Sequence, residues 1–330
     1  MPPPAPISSS PAWSPDVLDG CEATTISLPN TFDGPAVATL VRRRAAQPTG
    51  RAVLYLHGFI DYFFQAHLAA AYNERGYDFY ALDLRRHGRS LRPHQRPNFC
   101  KDLREYYAEI DQAITIMRAA GHSWLLLNGH STGGLTGALY AHEGAQRDQI
   151  SALVLNSPFF DLNVSAAQRA QVAVGVRLGA VLPALNLGGA ITSLYAQSIH
   201  REHRGEWAFN LRWKPISGFP TYAGWLRAIV MGQRRLQAGL SIACPVLLLH
   251  SARSYVGKVW SDEFTRADCV LDVAHMRRYG PGLSANVTLV SIEGGLHDLV
   301  LSPAPVRAQV FHTLFRWLEQ VSGTGFQVSG

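Results

Sequence analysis

Apolar residues recur along this chain in two rhythms. Apolar-rich stretches of strand length occupy 52–56, 77–82, 124–128, 150–155, 245–250 and 287–290, and the unbroken run at 52–56 has the pattern of a strand buried on both faces. Between them, 63–75, 102–120, 135–140 and 305–318 carry apolar residues at helical spacing. In the second of these, Leu103, Tyr106, Ile110, Ala113, Ile114 and Met117 share one face. Ahead of the series, 24–28 and 36–42 flank the turn-like stretch 30–35 and predict an antiparallel hairpin. Strand and helix then alternate, which predicts an α/β fold with a mainly parallel central sheet and helices on both faces.

Two stretches break the alternation. Residues 1–20 are rich in proline and serine and predict a poorly ordered N-terminal arm. Residues 159–240 are helix-like, contain no comparable strand and concentrate aromatics, including Phe159, Trp207, Trp213 and Trp225. They predict an inserted helical cap or lid over a site built on the core, which then comprises 21–158 and 241–321.

Composition narrows the function classes. A length of 330 residues with 47% hydrophobic and 16% charged residues suits a globular protein with a sizeable core. The net charge of +6 comes from 30 basic residues, 27 of them arginine, scattered along the chain. No basic stripe interleaved with aromatics accompanies the charge, which argues against nucleic acid as a partner. Cys21, Cys100, Cys244 and Cys269 form no C-x-x-C pair, so neither a zinc site nor a disulfide framework is expected. The N-terminus lacks the basic and apolar regions of a signal peptide. The least polar long stretch, 172–191, is interrupted by Arg177, Pro183 and Asn186, so no transmembrane segment is expected and a cytoplasmic location is.

The chemistry centres on 124–140, read WLLLNGHSTGGLTGALY. A strand runs into Gly129-His130-Ser131-Thr132-Gly133 and a helix follows, the G-x-S-x-G form of a nucleophile elbow. Ser131 is the candidate nucleophile. The N–H of Thr132, at the positive end of that helix, is one candidate oxyanion donor. The second is the N–H of Phe59, in the His57-Gly58-Phe59 turn after the strand at 52–56. A serine hydroxyl needs a base, and His297, in a glycine-rich loop after the last strand, is placed to return over the carboxyl edge of the sheet. The base needs an orienting acid, for which chain order leaves Asp262, Glu263, Asp268 and Asp272. Asp83, Arg85 and His87 read as a hydrogen-bonded polar loop. The substrate pocket is assigned to His57 and His130 beside the two turns and to Phe159, Trp207, Trp213 and Trp225 from the insert, an apolar lining suited to an acyl or alkyl group.

Four motifs in order, His57-Gly58-Phe59, the 82–90 stretch LDLRRHGRS, Gly129 through Gly134, and Gly294-Gly295-Leu296-His297-Asp298, make residues 21–320 resemble the α/β-hydrolase superfamily. Within it the chain is similar to the monoacylglycerol lipase and lysophospholipase group, also described as serine aminopeptidase S33-like hydrolases. In such families the acid lies in a short loop after the sixth or seventh strand, as A-D-x-x-x-D. The match to 267–272 implies Asp268 as the acid and Asp272, the alternative acid, as a helix N-cap. The resemblance implies a serine hydrolase acting on a small-molecule or lipid ester with an apolar acyl group. Amidase, acyltransferase or plain ligand-binding use of the same fold are the alternatives. No metal or organic cofactor is expected, since protein groups supply every catalytic part.

Overall fold

The computed structural model describes residues 11–188 and 193–323; the remainder of the expected arm and four residues of the expected cap lie outside the described residues. Among the described residues nine strands form one sheet, in the order β1-β2-β3-β5-β4-β6-β7-β8-β9. These are β1 (Ser14–Pro15), β2 (Glu22–Thr31), β3 (Gly34–Arg43), β4 (Arg51–Leu56), β5 (Tyr77–Asp83), β6 (Trp124–His130), β7 (Ala152–Asn156), β8 (Val246–Ser251) and β9 (Val287–Ile292). Strands β1 to β3 are antiparallel and β3 joins β5 antiparallel; every pairing from β5 to β9 is parallel. Each apolar run of the sequence is thus a strand of the central sheet.

Alternate residues of these strands feed two cores. Leu54, Leu56, Leu125, Leu127, Leu153 and Leu155 pack on one face with helices α2 (Tyr107–Ala119), α3 (Thr132–Glu143) and α6 (Ala223–Gln237). Val53, Tyr55, Leu126, Val154, Leu247 and Leu249 pack on the other with α1 (Ala66–Asn73) and α8 (Ala304–Val321). The two-residue period of a strand sends neighbours to opposite faces, so an unbroken apolar run is what a sheet covered on both sides requires.

The helices begin where local hydrogen bonds allow. The expected helix at 63–75 starts at Ala66, and ahead of it the N–H groups of Phe63 and Phe64 donate to the Asp83 carboxylate and the Gln65 side chain, at 2.8 and 3.0 Å. The expected helix at 102–120 opens as a 3₁₀ turn at Leu103–Tyr106, capped reciprocally by Asp102 and Glu105, before α2 proper.

Beyond residue 10 the expectation of a poorly ordered arm is corrected. Ser14 and Pro15 pair with β2, and the Arg42 guanidinium lies 3.8 Å over the Trp13 ring. Asp16 meets Arg89 at 2.7 Å, both side chains buried. Long-range contacts therefore order a stretch whose composition alone favours disorder. Between β7 and β8 lie α4 (Ala166–Val181), α5 (Ser193–Ile199) and α6, with no strand among the described residues of that stretch, only isolated bridges. Trp225, Ala228, Ile229 and Leu236 of α6 join the same core as α2 and α3, so this last helix covers the sheet directly.

Candidate active site

The strand order reverses about β4. Its successor β5 lies on one side and β6 on the other, so the loops leaving β4 and β6 diverge at the carboxyl edge and open a crevice. Leu56 is in register with Gly129, which sets His57-Gly58-Phe59 beside His130-Ser131-Thr132.

Ser131 sits at the tip of the turn from β6 to α3 with φ 54° and ψ −115°, a conformation that costs a residue with a Cβ about 1–3 kcal/mol. Its N–H donates to the Asn156 carbonyl at 3.0 Å, and its own carbonyl accepts from Leu135 and Phe159 at 3.1 and 3.0 Å, so neighbouring elements hold the strain in place. The glycines of the motif are there for space. A Cβ on Gly129 would come within 2.5 Å of the Gly133 carbonyl oxygen, and one on Gly133 would overlap the carbonyl oxygens of Leu56 and His57. Gly133→Ala is accordingly expected to cost about 3 kcal/mol, since rigid backbone cannot yield. Gly282→Ala, where a Cβ meets nothing within 4 Å, is expected to leave the midpoint of thermal unfolding nearly unchanged. Equal midpoints for the two variants would contradict this reading of the elbow.

His297 arrives from the loop after β9, which turns at Gly294 with φ 68°. Its Nε2 lies 3.0 Å from Ser131 Oγ, and its Nδ1 lies 3.0 Å from Asp268 Oδ2. A carboxylate only accepts, so Nδ1–H donates to Asp268 and Nε2 is left to accept from the serine hydroxyl. Asp268 is fully buried, and its other oxygen accepts from the N–H groups of Val270 and Leu271 at 2.9 and 2.8 Å. The long excursion between β8 and Asp268 leaves and returns at one point: Ser254 bridges Asp268, whose N–H donates to the Arg253 carbonyl at 3.1 Å. Asp272 instead caps α7 (Val273–Tyr279), accepting from Ala274 N–H at 2.9 Å. Asp262 and Glu263 face Arg266 and Arg253.

A cavity of about 360 Å³ opens over Ser131, lined in part by Phe59, Thr132, His130, Phe159, Trp225 and His297. Thr132 opens α3, so its N–H has no acceptor within the helix. Phe59 stacks on Trp225 with centroids 3.9 Å apart. A Cβ on Gly58 would lie 3.1 Å from the Ser131 Cβ, a measure of how closely the first loop approaches the second. Burial holds His130 below its ordinary pKa, so the ring adjoining His297 at 4.9 Å stays uncharged at neutral pH.

Three pocket assignments are corrected. His57 is wholly buried, with Nδ1 2.8 Å from the Gly58 carbonyl and Nε2 accepting from Leu84 N–H at 3.1 Å. It shapes the turn and does not line the cavity. Trp207 stacks on His67 and donates from Nε1 to the Leu301 carbonyl at 2.8 Å. Trp213 packs edge-on against Tyr62 at 5.1 Å. Both rings fasten the insert to the core, and neither lines the cavity. The polar loop reading of 83–87 matches what is seen: Asp83 accepts from Phe63 and Arg89, and Arg85 pairs with Glu109.

Sequence reasoning missed the groups that surround His297. Asp298 accepts from Asn156 Nδ2 at 2.7 Å and Gln65 Nε2 at 3.1 Å, and its N–H donates to the Tyr195 hydroxyl at 3.1 Å. The Tyr195 ring stands edge-on to His297 at 5.6 Å. The signal was the polar Asn156 at the end of an apolar strand, and its meaning required the fold.

The family model described as serine aminopeptidase, S33 (Hydrolase_4) matches residues 47–303, most of the chain. The chain belongs to this family. The S33 match spans all three residues of the Ser131, His297 and Asp268 line. A monoacylglycerol lipase of Mycolicibacterium smegmatis is 28% identical over 242 residues, 72% of this chain and 81% of that protein. Among solved structures, a soluble variant of the Saccharomyces cerevisiae monoglyceride lipase in complex with a substrate analog aligns over 90% of this chain and 97% of its own, with TM-score 0.65 and 18% identity. The Paleococcus ferrophilus monoacylglycerol lipase aligns over 86% and 99%, with TM-score 0.65 and 20% identity. The fold is that of the α/β-hydrolases, and the chain is similar to monoacylglycerol lipases. No helix among the described residues is long and apolar enough to cross a membrane.

Proposed function

We propose that this S33 hydrolase cleaves carboxylic esters with an apolar acyl group, of the monoacylglycerol, lysophospholipid or simple carboxylester kind, through an acyl-enzyme on Ser131. The observation that carries the reading is the continuous line from Ser131 Oγ through His297 to the buried Asp268, with 3.0 Å at each step. His297 takes the serine proton as Oγ attacks the carbonyl carbon, and the N–H groups of Phe59 and Thr132 receive the oxyanion. The imidazolium, stabilised by Asp268, returns the proton to the leaving alcohol as the C–O bond breaks. Water then enters, gives its proton to His297 and releases the acid, restoring Ser131. Phe159 and Trp225 supply apolar walls for the acyl chain, and the stretch between β7 and α6 acts as the cap under which that chain lies.

Hydrolysis of p-nitrophenyl esters of graded chain length tests this. The kcat/KM is expected to rise from acetate toward medium-chain esters by about tenfold or more, as methylenes leave water. A flat or falling profile would contradict an acyl-binding role for the aromatic walls.

A further inference from the structure

One wall of the cavity is not apolar. Asp61 and Lys214 both line it, with Nζ 2.7 Å from Oδ1 and both side chains nearly inaccessible to solvent. An ion pair in such surroundings loses the hydration of two charges and is seldom retained for stability alone. Its place in the chain is informative. Asp61 lies two residues after Phe59, on the loop that leaves β4, whereas Lys214 comes from the far side, between α5 and α6.

The same two segments meet at further points. The Asn210 N–H donates to the Tyr62 hydroxyl at 2.7 Å, the Trp213 ring stands edge-on to Tyr62, and Phe209 packs on Phe64. The ammonium of Lys214 also lies 5.5 Å from the Phe64 ring centroid and 5.6 Å from that of Phe209. Residues 209–214 therefore form a strap across 61–64, and the Lys214 ammonium is its only charge on the cavity. Burial, the largest single influence, would raise the Asp61 carboxyl, but the Lys214 ammonium, joined by the neighbouring His130 and His57 rings, holds the group below its ordinary value, so Asp61 is ionised.

We propose that Lys214 is a positioning residue for the oxyanion site: it neutralises Asp61 and ties the loop carrying Phe59 to the strap, so that a fixed N–H, and no uncompensated carboxylate, faces the charge that develops on the substrate oxygen. The need arises in the transition state. An ionised Asp61 without its partner would oppose the oxyanion in a site where little water screens it, while barely affecting a neutral bound ester.

This inference rests on the serine ester hydrolase reading, and the test separates the two. On a medium-chain p-nitrophenyl ester, Lys214→Met is expected to lower kcat by about 10–100-fold with KM within about threefold, the signature of a transition-state interaction. Asp61→Asn combined with Lys214→Met removes the stray charge and is expected to recover about tenfold of the loss. A role in packing alone would leave the double variant as poor as the single one, and a direct contact with substrate would raise KM; either result overturns the proposal. Comparing the thermal unfolding midpoints of both variants with wild type identifies loss of fold, and the neutral double variant, which leaves no buried charge unpaired, keeps the comparison decidable. Absence of turnover in the wild type would count against the hydrolase reading itself. Undiminished turnover in Lys214→Met would count against this inference alone.

Discussion

Ser131→Ala is expected to lower ester turnover by roughly 10⁴–10⁶-fold while the protein remains folded, the scale of loss when a triad nucleophile is removed and only the oxyanion donors and binding remain. The backbone makes a companion prediction. At φ 54° and ψ −115° a Cβ is strained and a glycine is not. Ser131→Gly, equally inactive, is therefore expected to unfold at a higher temperature than Ser131→Ala. Differential scanning calorimetry of the two variants checks this. A less stable glycine variant would mean that contacts of the Cβ outweigh the strain, and that the elbow is not holding its serine in a costly conformation.

The second large effect separates two aspartates four residues apart. Asp268→Asn is expected to lower kcat by about 10³–10⁴-fold, because an amide can donate to Nδ1 and so favour the tautomer whose Nε2 cannot accept the serine proton. Asp272→Ala removes only the bond to Ala274 N–H that caps α7. It is expected to cost about 1 kcal/mol of stability and to leave kcat within about twofold. Steady-state kinetics with urea unfolding of both variants decides the matter. Comparable kcat losses in the two would contradict the assignment of distinct roles.

Much of this architecture was legible because its signals are local. Strands β4, β6, β7 and β8 are apolar-rich runs, and burial on both faces of a parallel sheet leaves no other solution for them. Ser131 and the two turns that flank it were legible because a strand, a glycine-bounded turn and a helix are contiguous in sequence. His297 was legible from its glycine-rich loop and its place after the last strand.

The missing parts depend on segments far apart in the chain. Trp207 and Trp213 looked like lining residues by type, but side-chain type does not say which face of a ring is occupied, and both are held by the core. Nothing near Asp61 announces Lys214, 153 residues away. The same holds for Asp298 and its partners Asn156 and Gln65. The ordered residues after position 10 owe their place to Arg42 and Arg89, which no local rule ties to a proline-rich stretch. Buried polar pairs of this kind need two partners to be satisfied, and only the fold brings the partners together.

The central claim is that Ser131 is an activated nucleophile held by His297 and Asp268. Reaction of the wild type and of Ser131→Ala with a fluorophosphonate probe, followed by intact mass, tests it most directly. One adduct on the wild type and none on the variant is the predicted result. A folded wild type that takes no label, or a variant that takes as much, would contradict it.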